Sequence, residues 1–454
     1  MTTTTAAPDV RAARERHPPG LALLFAVEMW ERFSYYGMRA LLILYLVDQH
    51  TGVGWARSTA ARVYGLYNML VYLTPVAGGY LADRYIGTHR SMVIGGAIIA
   101  AGHFSMAIPT TPSFFLGLVL IIVGTGFFKS NVSTMVGQLY RQGDPRRDSG
   151  FTIFYMGVNA GAFMGPLVCG YLGESPRFGW HYGFGAAGVG MVLGLLLYLR
   201  LKSRYLPGIG EAPSRQAVEA RADSTGRLPR DERDRVLALF VIFFFVIFFW
   251  MAFEQAGSSM NLFASDRTDR LVLGYRFPAS WFQSVNPVVI LLFAPIFAAL
   301  WTYLGRKGRE PSTPIKMASA MLLVAIGFVF MVGGARSSDG GMLASPLWLV
   351  AAYAFHTWGE LCLSPVGLSL VTKLAPAKFA SLFMGLWFFA TAISELLAGQ
   401  LAAITDKVAR GEVFHLFGGQ ADFFFIFVVS SLIGGLGLLL LTPWLKRLMH
   451  GRDV

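Results

Sequence analysis

Residues 20–47 read GLALLFAVEMWERFSYYGMRALLILYLV, and this stretch decides the fold class. Wound as a helix it is long enough to cross a ~30 Å hydrocarbon layer. Its middle nevertheless carries Glu28, Glu31, Arg32 and Arg39, charges that lipid tolerates only beside a partner or a water-filled cavity. Counted from Glu28, the residues Glu31, Arg32, Tyr35, Tyr36 and Arg39 share with it a helical arc of roughly 140°. One face is therefore polar and aromatic, and the rest suits lipid. A structural salt bridge between Glu28 and Arg32 would need neither four charges nor two tyrosines.

Eleven further apolar runs follow, at about 58–82, 91–109, 113–138, 150–173, 180–201, 235–264, 277–304, 314–334, 344–374, 379–404 and 421–447. With 54% hydrophobic and 14% charged residues and a mean hydropathy of +0.53, the composition excludes a cytosolic enzyme. The ~10-residue alternating segments of a membrane β-barrel are absent. The reading is an all-α membrane protein with twelve spans. Roughly two thirds of the 38 Lys and Arg fall on the side that holds both termini, which makes that side cytoplasmic. The net charge of +12 is thus a topology signal, and a nucleic-acid partner is not expected. The first run is too long and too charged for a cleaved signal peptide. Cys169 and Cys362 lie inside apolar runs and suggest neither a disulfide nor a metal site. The polar stretch 202–234 reads as a cytoplasmic linker between two six-helix halves, 20–201 and 235–447, with an arm at 1–19 and a tail at 448–454.

Other charges inside the spans fall into pairs by depth. Arg39 in span 1 and Glu254 in span 7 share a level in the outer half, whereas Lys129 in span 4 and Glu360 in span 10 share one nearer the cytoplasm. If the halves are repeats, these helices are equivalent, and a substrate site lies between them at mid-membrane. Two ion pairs, one on each side of that site, are expected to act as opposing gates. Three cations (Arg32, Arg39, Lys129) face four acids (Glu28, Glu31, Glu254, Glu360), so one carboxyl group is in surplus and suited to carrying a proton. Glu395 in span 11 adds another acid, but near the outer end, and reads as a peripheral or packing residue.

These residues resemble a known family. EMWERFSYYGMRA looks like the E-x-x-E-R-F-x-Y-Y-G motif of the proton-dependent oligopeptide transporters, a branch of the major facilitator superfamily. GGYLADRYIGTHR is similar to that superfamily's loop between helices 2 and 3. GTGFFKSNVSTMVGQLY, FTIFYMGVNAGAFMGP, FWMAFEQAGSSM, PASWFQSVNP, GELCLSPVGLSLVTKLAP and GLWFFATAISELLAG resemble helices 4, 5, 7, 8, 10 and 11. The resemblance implies the major facilitator fold and proton-driven import of di- and tripeptides, with protons as coupling ion and no other cofactor. It implies proton coupling by Glu28, Glu31, Arg32 and Lys129, gates at Arg39 with Glu254 and Lys129 with Glu360, and peptide-site positions at Tyr35, Tyr36, Asn159, Trp250, Asn286 and Trp387. Tyr67 is read as lining the cavity beside Gly65, where animal members carry a histidine. Many bacterial members have two extra helices between the halves, which 202–234 cannot hold.

The chemistry of a dipeptide agrees. A zwitterion has charged ends at a fixed spacing and variable side chains, so a general receptor holds the ends: Glu360 the ammonium, and Arg32, Arg39 and Lys129 the carboxylate. Asn159 and Asn286 suit the peptide amide, and the aromatics suit side chains. VGTGFFKS is a decoy for a phosphate loop, since it lacks the glycine before Lys129 and lies in an apolar helix, where Gly124 and Gly126 allow close helix packing. His356 and His103 read as lone buried histidines. Ser258 and Ser259 have no paired base, which speaks against a membrane hydrolase. Within transport, nitrate or another small anion or zwitterion is the alternative cargo, and a non-transporting sensor the alternative role. The expected surroundings are the lipid bilayer of the cell membrane, with the chain acting as a monomer.

Overall fold

The computed structural model describes residues 16–141, 144, 146–211, 229–376 and 379–452. The expected arm up to residue 15, positions 212–228 of the linker and the last two residues of the tail lie outside the described residues. In hydrocarbon every backbone N–H and C=O must be satisfied within the chain, and the apolar runs accordingly coil into long helices. They are α1 (Pro19–Val47), α2 (Arg57–Leu81), α3 (Thr88–Met106), α4 (Thr111–Gln138), α5 (Arg147–Gly173) and α6 (Trp180–Tyr205), followed by α7 (Arg230–Phe253) and α8 (Ser259–Asp266). Then come α9 (Val285–Arg306), α10 (Thr313–Ser337), α11 (Pro346–Leu374), α12 (Ala380–Ala402), the short α13 (Thr405–Ala409) and α14 (Gln420–Leu448). Proline in the first turn starts α1, α4, α10 and α11, where its missing N–H costs no hydrogen bond. Thr110 caps α4 by accepting from the Ser113 amide at 3.4 Å.

Among the described residues, eight helical segments are able by length and composition alone to cross a membrane, among them Thr111–Gln138, Arg230–Asp266 and Gln420–Leu448. Bulky apolar side chains stand exposed along them, Leu440 at 82%, as lipid contact requires and water would not favour. The chain is an integral membrane protein. The α1 helix owes its lower apolarity to the charges read above, which the fold buries.

Helices α1–α6 pack among themselves, as do α7–α14, and the two bundles meet where α2 crosses α12, α5 meets α9, and α1 meets α8. Several crossings are backbone to backbone, among them α2 with α12 and α2 with α4. A Cβ on Gly65 would stand 2.8 Å from the Gly399 Cα, and one on Gly78 would stand 2.0 Å from the Gly126 carbonyl oxygen. Gly65 is thus fixed by the α2 and α12 crossing, and Gly124 and Gly126 sit at close helix contacts as their spacing predicts. Gly78→Val should force α2 off α4, at a cost of about 1–3 kcal/mol for overpacking. Thermal unfolding in detergent should then move down by several degrees; an unchanged transition would show that α2 and α4 separate freely.

The seventh predicted span, 235–264, is not one helix. It breaks at a 3-10 turn, Glu254–Gly257, before resuming as α8. The next span likewise opens with a 3-10 turn, Ala279–Ser284. Between them a two-residue hairpin pairs Leu271–Val272 with Tyr275–Arg276. Irregular backbone at this depth is tolerated only where protein or a cavity satisfies it, so the breaks themselves point to a site.

Candidate functional site

The polar bonds between the two bundles cluster around the end of α1 that carries Arg39. The Arg39 guanidinium pairs with the Glu254 carboxylate, and its Nε donates to the Tyr64 hydroxyl at 2.9 Å. Asn261 donates to the Ala40 carbonyl at 2.8 Å. Farther along, Glu174 at the end of α5 accepts from the Ala279 and Ser280 amides at 2.7 and 2.9 Å. Trp281 donates to the Leu167 carbonyl at 3.0 Å and Ser284 to that of Phe163 at 2.8 Å. Arg39 and Glu254 thus sit at a closed end of the interface, at the shared depth read from the sequence.

The second expected pair is not formed. The Lys129 ammonium lies 3.7 Å from the centre of the Tyr72 ring, a cation–π contact, and Glu360 accepts instead from Asn286 Nδ2 at 2.8 Å. Equal depth does not bring the two together because the α4 and α11 faces that carry them stand apart in this conformation, while the bundles are clasped at the other end. The two charges do not depend on one another here: Tyr72 serves one and Asn286, itself donating to Thr357 at 3.0 Å, serves the other.

Between these levels lies a cavity of about 200 Å³. Of the residues singled out from the sequence, Tyr36, Arg39, Asn159, Trp250, Glu254, Asn286 and Glu360 line it. Arg32, Tyr35, Tyr67, Lys129 and Trp387 do not. Tyr35 and Tyr36 are adjacent, hence about 100° apart on α1. Only Tyr36 faces the cavity, and Tyr35 donates to Asn68 Oδ1 of α2 at 3.2 Å. Trp387 is buried against Phe243, with ring centroids 6.2 Å apart, and against Gly367, whose missing side chain makes room for it. Tyr67 is buried, and its hydroxyl has no protein partner.

Arg32 belongs to a separate buried cluster. Its Nε lies 2.7 Å from a carboxylate oxygen of Glu28 and 2.7 Å from one of Glu31. The Glu28 contact is a hydrogen bond; the Glu31 contact is charge proximity, and that oxygen lacks a donor in bonding geometry. Lys129 faces the same two acids electrostatically.

Several cavity residues were not read from the sequence. Tyr72 on α2 and Tyr353, Thr357 and Ser364 on the Glu360 face of α11 line the cavity, while Tyr64 and Asn68, which recur with Tyr72 every fourth residue, accept hydrogen bonds from Arg39 and Tyr35. That polar spacing is visible in the sequence once uncharged groups are counted. Gln283 stands on the irregular turn before α9, where no helical period applies. His356 also lines the cavity, its ring 4.6 Å from that of Phe328. Glu395, read as a peripheral or packing residue, is buried at the α2 and α12 crossing and so is not peripheral, and its carboxyl group faces that of Glu254. Among the described residues no three His, Cys, Asp or Glu side chains group as metal ligands.

Two helical bundles clasped over a charged central cavity define a membrane transporter of the major facilitator type. Residues 89–207 and 216–417 match the sequence profile of the POT family. The chain is 38% identical to the peptide transporter YePEPT of Yersinia enterocolitica, over 84% of this chain and 87% of that one. It is 33% identical to a di-/tripeptide transporter of Lactococcus lactis, over 94% and 96%. A crystal structure of a mutant peptide transporter POT in complex with alafosfalin superposes with a TM-score of 0.86 at 36% identity, covering 96% of each chain. The chain belongs to the POT family.

Proposed function

We propose that the protein is a proton-coupled symporter that imports di- and tripeptides by alternating access between two six-helix halves, 20–201 and 235–447. All twelve long helices among the described residues cross the cell membrane in this reading, both termini are cytoplasmic, and a single chain is the working unit. The observation that carries it is the cavity's polarity: an acid, Glu360, and a guanidinium, Arg39, open on one space. That suits a ligand with an ammonium and a carboxylate at its two ends. Trp250 Nε1 and Gln283 Nε2 are donors without a protein partner, available to peptide carbonyls. The names of the peptide-transporting relatives support the same cargo.

The Arg39 and Glu254 pair is the outer gate, closed in this conformation. Lys129 and Glu360 are the inner pair, and they meet when the cavity closes on the cytoplasmic side. Glu28, Glu31, Arg32 and Lys129 couple the proton. Purified protein in liposomes should accumulate labelled dialanine against its gradient only when the outside is more acidic, and an uncoupler should collapse the accumulation. Equal accumulation with and without the proton gradient would overturn proton coupling, and no saturable uptake would overturn the cargo. Glu254→Ala leaves the buried Arg39 charge unpaired, at a cost of ~3–5 kcal/mol. It should therefore populate the outward-open state, raising the labelling rate of an outer-cavity cysteine about tenfold or more.

A further inference from the structure

We propose that Glu395 is a second proton site of the transporter, and that its proton permits the outer gate to close. The proposal rests on the proton-coupled reading above and extends it to a residue outside the Glu28, Glu31 and Arg32 cluster. Glu395 projects from α12 where that helix crosses α2 at backbone contact, Gly65 against Gly399. It is 1% exposed, it is not part of the cavity wall, and one of its oxygens has no hydrogen-bond partner. Its carboxyl group reaches that of Glu254, which already pairs with Arg39.

The surrounding groups decide its charge. Facing it are Glu254 from the 3-10 turn, Arg39 and Tyr35 from α1, Tyr64 and Tyr72 from α2, and Lys129 from α4. Arg39 is matched by Glu254, while Arg32 and Lys129 are matched by Glu28 and Glu31. Two carboxyl groups remain, Glu360 and Glu395. Glu360 opens on the cavity, where water or a substrate ammonium meets its charge. Glu395 has neither. Two carboxyl groups share a hydrogen bond only when one holds a proton; with both ionised they repel. With the proton on Glu395, the trio of Arg39, Glu254 and Glu395 is neutral, and the gate closes without burying a net charge.

The cycle balances. In the outward-open state Glu395 is ionised and hydrated. A proton from the outer solution forms an O–H bond on Glu395, which then donates to the Glu254 carboxylate as Arg39 engages it. After the cavity opens to the cytoplasm, that O–H bond breaks as the proton passes to the Glu254 carboxylate, which lines the cavity, and from there to cavity water. The two carboxylates then repel, and the outer gate is primed to reopen.

Glu395→Gln keeps the shape and the donor of the protonated acid but carries no proton. In liposomes it should retain dialanine counterflow, lose the pH dependence of that counterflow, and lower the maximal accumulation ratio about tenfold at an imposed gradient of ~1 pH unit, the factor for one proton fewer per peptide. Glu395→Asp should keep the pH dependence. The infrared carboxylic-acid C=O band of the wild type at neutral pH should also lose a component in Glu395→Gln. A Gln variant with wild-type accumulation and pH profile would overturn the proposal, as would an unchanged infrared band. If the wild-type protein shows no proton-driven uptake at all, the reading beneath it falls and this proposal with it, whereas wild-type coupling with an unaltered Gln variant removes Glu395 alone.

Discussion

Glu31→Gln is expected to abolish accumulation of dialanine under an inward proton gradient, leaving the peptide no more concentrated inside than outside, while exchange of peptide down its own gradient persists. The reason lies in the packing of α1. Glu28 and Glu31 converge on one guanidinium at 2.7 Å each, and Glu31 is 1% exposed. Lys129 supplies the balancing charge from α4, resting on Tyr72. A proton on Glu31 leaves Arg32 matched by Glu28 alone and releases the Lys129 charge to find another acid or a substrate carboxylate. Glutamine holds the cluster in that released state permanently. Lys129 then no longer reports whether a proton is present, and the two fluxes separate. The paired measurement is uptake with and without a pH gradient against counterflow at equal pH. Gradient-driven accumulation by the variant at the wild-type level would remove Glu31 from the coupling group.

The membrane class and the long helices were legible because apolar length is a local property, written in each run. Charges such as Arg39 and Glu254 were legible for a related reason: a charge in lipid needs a partner, and depth counts along two helices narrow the choice. What depth does not encode is which state of a moving protein is populated. Lys129 and Glu360 count to one level in the sequence, yet they are partnered by Tyr72 and Asn286 while the bundles are clasped elsewhere. Azimuth was the second gap. Tyr35 and Tyr36 are neighbours in sequence but serve different walls, and Trp387 packs on Phe243 away from the cavity. Uncharged polar groups were the third, since Tyr64, Asn68 and Tyr72 cost little in an apolar run and drew no notice, though their four-residue spacing marks a face. The break after Phe253 was hidden because Gly257 and two serines fit a membrane helix as well as a turn.

Glu360→Ala should weaken binding of alanyl-alanine by about 10–100-fold, the range of a charge-assisted hydrogen bond, while binding of N-acetyl-alanyl-alanine changes little. Asn286 satisfies one Glu360 oxygen at 2.8 Å, and the carboxylate opens on the cavity beside it. A peptide ammonium entering from that side adds to the Asn286 bond and displaces nothing. The acetyl group removes this charge, so the blocked peptide has no stake in the acid and serves as the control. Lys129→Ala tests the other end of the inner pair. It removes the cation that faces Glu28 and Glu31 and rests on Tyr72; under the proposed coupling, proton-driven uptake should be lost with counterflow retained. Closing the cytoplasmic side should bring Lys129 toward Glu360, so a bound ammonium at Glu360 competes with that closure and links occupancy to the gate. Competition of both peptides against labelled dialanine, with the wild type and each variant, measures all of this in one series. Equal loss for the free and blocked peptides in Glu360→Ala would remove the acid as the ammonium site, and undiminished gradient-driven uptake in Lys129→Ala would take that lysine out of the coupling path.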